Sequence, residues 1–422
     1  MLTAVQNEMI TMTGPGTPMG EVFRRYWQPV ALSEEITPGS KPIQVRVMSE
    51  DLVLFRDVAG RPGLLGVHCS HRLASLAYGR VEDGGIRCSF HGWLYDVDGR
   101  CLQQPAEPER STFKDKVRHT AYPCRDLGGL VFAYMGPPER EPPLPPFEGL
   151  VRGDGSRKAD YHPINSNYLQ NLEGALDPIH STYLHMDGWS QMKERVLAQP
   201  QVEVSLEETE WGLWRRSSRD ASAARPGSPR ATAEPGSNGG TGYSYGHFFM
   251  PDGFMGIRQT VSRDNPGQVA TQKTQSWYVP IDDEHCRRYL VAFTAHALTE
   301  GAPLDYGIAR AAFVAPGPEN DYGRDYEGVD TISGIPLRSS TEKGSLKGLL
   351  FQDTMVNETQ GPIADRSREH LGVGDRLLIM VRRQLQQAVE DVRDGRDPKF
   401  SRPEPNDEGL VRVCGNDEME ST

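Results

Sequence analysis

The chain has no apolar run approaching the roughly 20 residues that a membrane-spanning helix requires. It also lacks an excess of positive charge. With 58 acidic against 46 basic side chains, its net charge is -12 at pH 7. That disfavours nonspecific nucleic-acid binding, which rests on a positive surface. The opening stretch MLTAVQNEMITMTGPG has no basic start followed by an apolar core, so no export signal is read and the cytoplasm is the expected location. Six cysteines in 422 residues do not make a disulfide framework. The glycines of TGPGTPMG follow no strand and match no dinucleotide fingerprint. A plant-type ferredoxin run of cysteines is missing too.

What is present reads as an α+β chain. Residues 17–27, TPMGEVFRRYW, form a short helix with Thr17 as N-cap, Pro18 at the first helical position and Pro29 as its stop, so residues 1–40 are an N-terminal helical segment. From Lys41 onward the β-like runs PIQVRVM, DLVLFRD, WLYDVDGRCL and GGLVFAYMG alternate with turns, among them Asp96–Gly99. Residues 41–150 are therefore expected to be a small all-β domain, ending in the Pro-rich linker PPEREPPLPPFEGL.

Residues 151–422 read as a larger domain with a central antiparallel sheet flanked by helices. NYLQNLEGALDPIHSTYLH is helical, and YGHFFM, GFMGIRQTV, TQSWYVPI and RRYLVAFTAH are strands. GVGDRLLIMVRRQLQQAVEDVRDG is a long amphipathic helix with Leu377, Leu378, Val381, Leu385 and Val389 near one face. Residues 216–241, rich in Gly, Pro, Ser and Arg, read as an insertion loop.

One stretch carries paired cysteines and histidines. In CSHRLASLAYGRVEDGGIRCSFHGW, Cys69 and His71 are separated by one residue, and Cys88 and His91 by two. Two thiolates and two imidazoles suit either tetrahedral zinc or a two-iron cluster with sulfur on one iron and nitrogen on the other. Structural zinc sites usually pair like with like, whereas each pair here is mixed. CSHR followed by CSFHGWLYD resembles the C-x-H-R…C-x-x-H-G-W of Rieske oxygenases. The resemblance implies a [2Fe-2S] Rieske cluster with Cys69 and Cys88 on one iron and His71 and His91 on the other. His68 has no assigned role.

A cluster that moves electrons needs a destination. The segment NLEGALDPIHSTYLH, with Asp177, His180 and His185, resembles the D-x-x-H-x-x-x-x-H stretch of the same family. Two histidines and a carboxylate suit a mononuclear Fe(II) with open positions. Five residues on an ideal helix turn through about 140°, a poor angle for one metal, so the helix must break or end near the site. The Asp177–Pro178 step is the natural place. FQDTMVNETQG resembles the family segment that supplies the third ligand; Asp353 is the choice and Glu358 the fallback. Asp353 could instead cap a helix beginning at Thr354. By the resemblance Asp177 binds no iron but bridges His180 to His91 of a neighbouring subunit, which implies a trimeric ring or a hexamer of stacked trimers. An ordinary cap ahead of Pro178 accounts for Asp177 equally well.

Nearly the whole chain resembles the phthalate 4,5-dioxygenase-type oxygenase subunits, from QNEMITMTGPGTPMGEVFRRYWQPVAL to DRSREHLGVGDRLLIMVRRQL. The resemblance implies a terminal oxygenase that uses O2 and an NAD(P)H-dependent flavin and iron–sulfur reductase. Its expected substrate is a carboxylated aromatic, oxygenated on the ring or O-demethylated as lignin-derived methoxyaryl acids are. The long 186–245 insertion suggests a pocket unlike that of compact members. Arg195, Arg215, Arg216 and Arg258 are the candidate carboxylate anchors, and apolar residues of 245–258 could line the ring site. The competing classes are a Rieske electron carrier without oxygen chemistry and a zinc-dependent interaction module.

Overall fold

The computed structural model describes residues 1–153, 155–185, 203–219, 242–261, 269–294, 317–324 and 347–414. Four antiparallel sheets organise them. Ile43–Val47, Glu50–Arg56, Pro62–Gly66 and Ala121–Tyr122 form one, in that order. Arg80–Glu82, Gly85–Arg87, Leu94–Tyr95 and Cys101–Gln103 form a second. In the first, Val45 and Val47 are buried while Gln44 and Arg46 are exposed, the alternation a half-buried strand requires. The Asp96–Gly99 turn closes the second as expected: Gly99 N–H donates to the Asp96 carbonyl, and Asp96 Oδ1 accepts the N–H groups of Asp98 and Arg100.

The helix expected over 17–27 is shorter, spanning Pro18–Phe23 with Thr17 as its N-cap. Trp27–Leu32 is instead a buried strand paired with Leu130–Tyr134 in a third sheet, and Pro29 sits at a register shift of that pairing rather than stopping a helix. A proline lacks the N–H a regular ladder would use, and an irregular position tolerates it. A further helix, Ala4–Thr11, precedes it, with a Thr3/Gln6 capping box.

The Pro-rich stretch is no loose linker. Phe147 and Leu150 are buried, and Glu148 pairs with Lys273 at 3.0 Å and Arg152 at 2.7 Å. Prolines here fix a path along the larger sheet. That sheet has seven antiparallel strands in the order Ser156–Ile164, Cys286–Thr294, Val269–Pro280, Gly253–Val261, Gly242–Phe249, Gly212–Arg219 and Glu203–Glu208. The last two fall inside the 186–245 segment expected as an insertion, so part of that segment is sheet; residues 186–202 and 220–241 lie outside the described residues.

Alternate side chains point to opposite faces of this sheet. One face carries Lys273 and Trp277 and packs on Glu148 and Phe147. The other carries His162, Arg288 and Tyr278 along one row of partners, and Ala292, Thr274, Gly256 and Gly246 along another. His162 Nε2 lies 3.4 Å from Thr354 Oγ1, so this second face meets the helix Lys347–Glu358. The long helix Arg376–Arg393 buries Leu377, Val381, Leu385 and Val389 as the periodicity predicts, while Leu378 is only partly covered. No helix among the described residues is long and apolar enough to cross a membrane.

Candidate functional site

The two Cys/His loops fold alike. Cys69 N–H donates to the Ala74 carbonyl and Leu73 N–H to the Cys69 carbonyl, both at 2.9 Å. In the second loop Cys88 N–H donates to the Trp93 carbonyl at 2.8 Å and Gly92 N–H to the Cys88 carbonyl at 3.0 Å. The fourth residue after each cysteine is left-handed: Leu73 at φ 60° and Gly92 at φ 74°. Leucine is unusual there, since its Cβ crowds the backbone.

The paired loops set sulfur inside and nitrogen outside. Cys69 and Cys88 are 1% and 2% exposed, whereas His71 is exposed and His91 half-buried. The two imidazole centroids are 4.5 Å apart, and Trp93 stacks on His71 at 4.4 Å. Burial pushes the Cys69 thiol up, so a bound metal would have to favour the thiolate. Two buried sulfurs beneath two adjacent imidazoles are a donor set that fits a cluster with one sulfur-held and one nitrogen-held iron. Tyr95 hydroxyl lies 3.2 Å from Cys69 Sγ. His119, unremarked in the sequence, lies 2.7 Å from Gly66 O through Nε2 and 2.7 Å from Ser70 Oγ through Nδ1. A carbonyl only accepts, so Nε2 donates and Nδ1 accepts from Ser70. His68 is exposed, with Nδ1 3.2 Å from the Leu73 carbonyl.

The second group forms where a helix breaks. Tyr168–Leu176 starts on the Asn167 side chain and ends at Asp177; after Pro178 a short helix, His180–Tyr183, begins. Asp177 accepts Ile179 N–H at 2.7 Å and His180 N–H at 3.1 Å, the capping role open to it from the sequence. The break lets His180 and His185 face one point, with ring centroids 5.2 Å apart. Asp353 does not cap a helix at Thr354, because the helix already runs from Lys347 to Glu358. Its Oδ1 lies 3.5 Å from His180 Nε2 and 3.1 Å from His185 Nε2.

One donor atom from each of these three residues lies within 4.8 Å of the others, so they could hold a metal ion. Burial raises the Asp353 carboxyl, but hydrogen bonding and charge from His185, then His180 and Arg288, hold it below the usual range. Burial likewise opposes charge on His185, and Asp353 outweighs it, raising His185. Glu358 is engaged elsewhere, accepting Asn165 N–H at 2.8 Å. His185 Nδ1 lies 2.7 Å from Gln352 Oε1, a partner the sequence gave no reason to single out.

Of the four arginines, Arg195 and the side chain of Arg258 lie outside the described residues. Arg216 stacks over Trp214 at 5.5 Å. Arg215 is 5% exposed; its guanidinium donates to Gly246 O at 3.1 Å and Ser217 Oγ at 3.3 Å. It lies across Gly246, where a Cβ would fall 2.0 Å from Nη2. Burial lowers its pKa to about 10.

Residues 26–119 match the Rieske [2Fe-2S] domain family, and residues 333–406 the family described as LigXa C-terminal domain like. The 5,5'-dehydrodivanillate O-demethylase oxygenase subunit of Sphingobium sp. (strain NBRC 103272 / SYK-6) is 32% identical over 94% of this chain and 83% of its own. Phenoxybenzoate dioxygenase subunit alpha of Ectopseudomonas oleovorans is 34% identical over 92% of this chain and 86% of its own. A partial match, 49% identical over 43% of this chain and 38% of that protein, is the tert-butanol monooxygenase / tert-amyl alcohol desaturase oxygenase subunit of Aquincola tertiaricarbonis.

Dicamba monooxygenase bound to dicamba shares the fold at TM-score 0.59 and 18% identity, over 88% of this chain and 99% of that one. The Pseudomonas putida CBB5 NdmA QL mutant with caffeine does so at 0.65 and 18%, over 94% and 98%. The α+β expectation is borne out. Paired loops inside a matched Rieske domain, and full-length relatives that are oxygenase subunits, lead to one assignment: the chain belongs to the Rieske non-heme iron oxygenases, whose oxygenase subunits carry a [2Fe-2S] cluster and a mononuclear iron.

Proposed function

We propose that this chain is the terminal oxygenase of a two-component system acting on a carboxylated aromatic, by O-demethylation or ring hydroxylation. On this reading Cys69 and Cys88 hold one cluster iron, His71 and His91 the other, and His180, His185 and Asp353 the mononuclear iron. Residues 41–150 then receive electrons and 151–422 use them, with residues 1–40 as an N-terminal segment. The convergence of His180, His185 and Asp353 carries the reading, because an electron carrier has no use for a second metal site. When bound, the cluster supplies electrons, and the ferrous ion supplies positions where dioxygen and substrate meet.

The chain's own residues do the rest. Asp177 would link His180 to His91 of a neighbouring subunit in a trimer or a hexamer of two stacked trimers. Supporting this, the imidazole edge of the cluster site is flanked by exposed Leu73 and Phe90, 71% and 56% accessible, which another surface could cover. Electrons would come from an NAD(P)H-dependent flavin and iron–sulfur reductase.

For substrate, the row Ala292, Thr274, Gly256 and Gly246 makes a floor of small side chains on the sheet face that meets the Asp353 helix. Arg215, opposite Gly246, stands at its end. A flat ring with one carboxylate toward Arg215 suits this floor, through paired charge-assisted hydrogen bonds.

The test is turnover with a surrogate reductase and a panel of phthalates, phenoxybenzoates and methoxylated aryl or biaryl carboxylates, following oxygen, peroxide and formaldehyde. Coupled formaldehyde marks O-demethylation and a cis-diol marks ring hydroxylation. Uncoupled peroxide with every acid would remove the substrate reading. The partial match to a tert-butanol oxidiser favours a second reading, a small tertiary alcohol. Coupled uptake with tert-butanol alone would select it. A count of two irons per chain rather than three would make the protein an electron carrier.

A further inference from the structure

His185 is gripped by consecutive residues of one helix. Gln352 Oε1 stands 2.7 Å from its Nδ1, and Asp353 Oδ1 stands 3.1 Å from its Nε2. Neighbouring helix positions diverge by about 100°, so the two side chains reach opposite edges of the imidazole only because the ring is lodged between them. Gln352 is fully buried and His185 is 7% exposed, so their hydrogen bond is shielded from water.

The chemistry of this grip is directional. An amide oxygen accepts and does not donate. The Nδ1 edge therefore carries a ring proton, and Nε2 is left as the nitrogen on the Asp353 side that can give up its proton to make room for a metal. At 3.1 Å that nitrogen and the carboxylate are joined either by a proton or by a metal cation in its place. The helix thus holds the ring in an orientation that suits a metal, with Nε2 on the Asp353 side. His180 is held differently: its Nδ1 is buried without a hydrogen-bond partner among the described residues, and the nearest acid, Asp177, is 3.7 Å away. One arm of the site is set in advance and the other is not.

We infer that Gln352 is a positioning residue for the mononuclear iron, fixing His185 through Nδ1 so that Nε2 is the edge aimed at the point shared with Asp353. This rests on the ligand reading above. The amide is neutral, so it orients the imidazole without adding a negative charge to a site already holding Asp353 and bordered by Asp177.

The test uses the full chain with its cluster intact and the mononuclear iron removed by a chelator. Anaerobic equilibrium dialysis against Fe(II) then counts iron above two per chain. Gln352→Met keeps the length of the side chain and removes the acceptor; its Fe(II) affinity is expected to fall by about 10- to 100-fold, the usual cost of losing such a partner. Gln352→Glu restores an acceptor and is expected within a few-fold of the parent. The visible spectrum of the cluster should be unchanged in both, which reports that the chain is folded. Parental affinity in Gln352→Met would overturn the inference, as would a loss in Gln352→Glu equal to that in Gln352→Met, which would point to packing. His185→Ala separates the two claims. If it also binds Fe(II) like the parent, the ligand reading fails; if it alone loses the iron, only the role of Gln352 fails.

Discussion

Asp177 Oδ2 accepts the backbone N–H of His180 at 3.1 Å while standing 3.7 Å from the Nδ1 of the same residue. Asp177 therefore ends one helix with its backbone, while its carboxylate starts the next and faces the back of an imidazole. Asp177→Asn keeps an oxygen for the cap, and Asn caps as well as Asp. It should retain three irons per chain yet slow cluster-to-iron electron transfer in a single turnover, by on the order of 100-fold if Asp177 is the bridge. An unaltered rate would leave Asp177 as a cap only. Asp177→Ala should in addition cost about 1 kcal/mol of stability.

The Tyr95 hydroxyl beside Cys69 Sγ makes a second prediction, about the cluster rather than the chemistry it drives. A hydrogen bond to a ligating sulfur favours the reduced, more negative state. A net contribution of roughly 0.5–1.5 kcal/mol corresponds to about 20–60 mV for one electron. Tyr95→Phe should lower the midpoint potential by that amount in a redox titration, with the iron content unchanged. A rise, or no shift, would show that the hydroxyl does not donate to the sulfur.

These partners were much less legible in the sequence than the ligands they serve. Cys69, His71, Cys88 and His91 lie within two short loops, and ligation demands those residue types at those spacings, so the local pattern carries the information. The turn from His180 to His185 was also readable, because five residues of unbroken helix could not aim both rings at one metal. Gln352 and His119 are different. They reach partners 167 and 49 residues away, and nothing local distinguishes them from ordinary buried polar residues. Composition misled where it stood in for burial. The prolines of 137–150 resemble a linker, yet Phe147 and Leu150 anchor that stretch in the core. Pro29 resembles a helix stop, yet it occupies an irregularity in a strand.

Arg215 offers a third prediction, because its buried guanidinium is hydrogen-bonded, among the described residues, to the neutral acceptors Gly246 O and Ser217 Oγ and so has capacity for an anion. Arg215→Gln should raise KM for an aryl carboxylate by about 10- to 100-fold, the loss of one charge-assisted pair, and should leave turnover of a neutral substrate such as tert-butanol untouched. Gly246→Ala tests the same point from the opposite strand. Its Cβ would fall where Nη2 now lies, so the guanidinium must move and KM should rise with Arg215 still present. If both variants bind aryl carboxylates like the parent, the anchor lies elsewhere.

The helix that delivers Asp177 is itself anchored by charge. One turn before its end, Glu173 receives Arg366 Nη2 at 2.8 Å and Arg382 Nε at 2.5 Å, and Arg382 also pairs with Glu369 at 2.6 Å. Arg366 is fully buried and Arg382 3% exposed, so removing the shared carboxylate strands Arg366 away from water and leaves Arg382 with Glu369 as its carboxylate partner among the described residues. Glu173→Gln should destabilise the chain by about 3–5 kcal/mol, the usual cost of breaking a buried pair from one side. Burial alone would raise the Glu173 carboxyl, but Arg366 and then Arg382 hold it below its ordinary value of 4.5. A carboxyl with a lowered folded-state pKa contributes stability fully above 4.5 and loses it as pH falls through the lowered value. The gap in Tm between the parent and Glu173→Gln should therefore be constant from pH 6 to 8 and narrow below about pH 4.5. A gap that persists unchanged into acid would mean that the carboxylate's shape, and not its charge, ties the Asp177 helix to its neighbours.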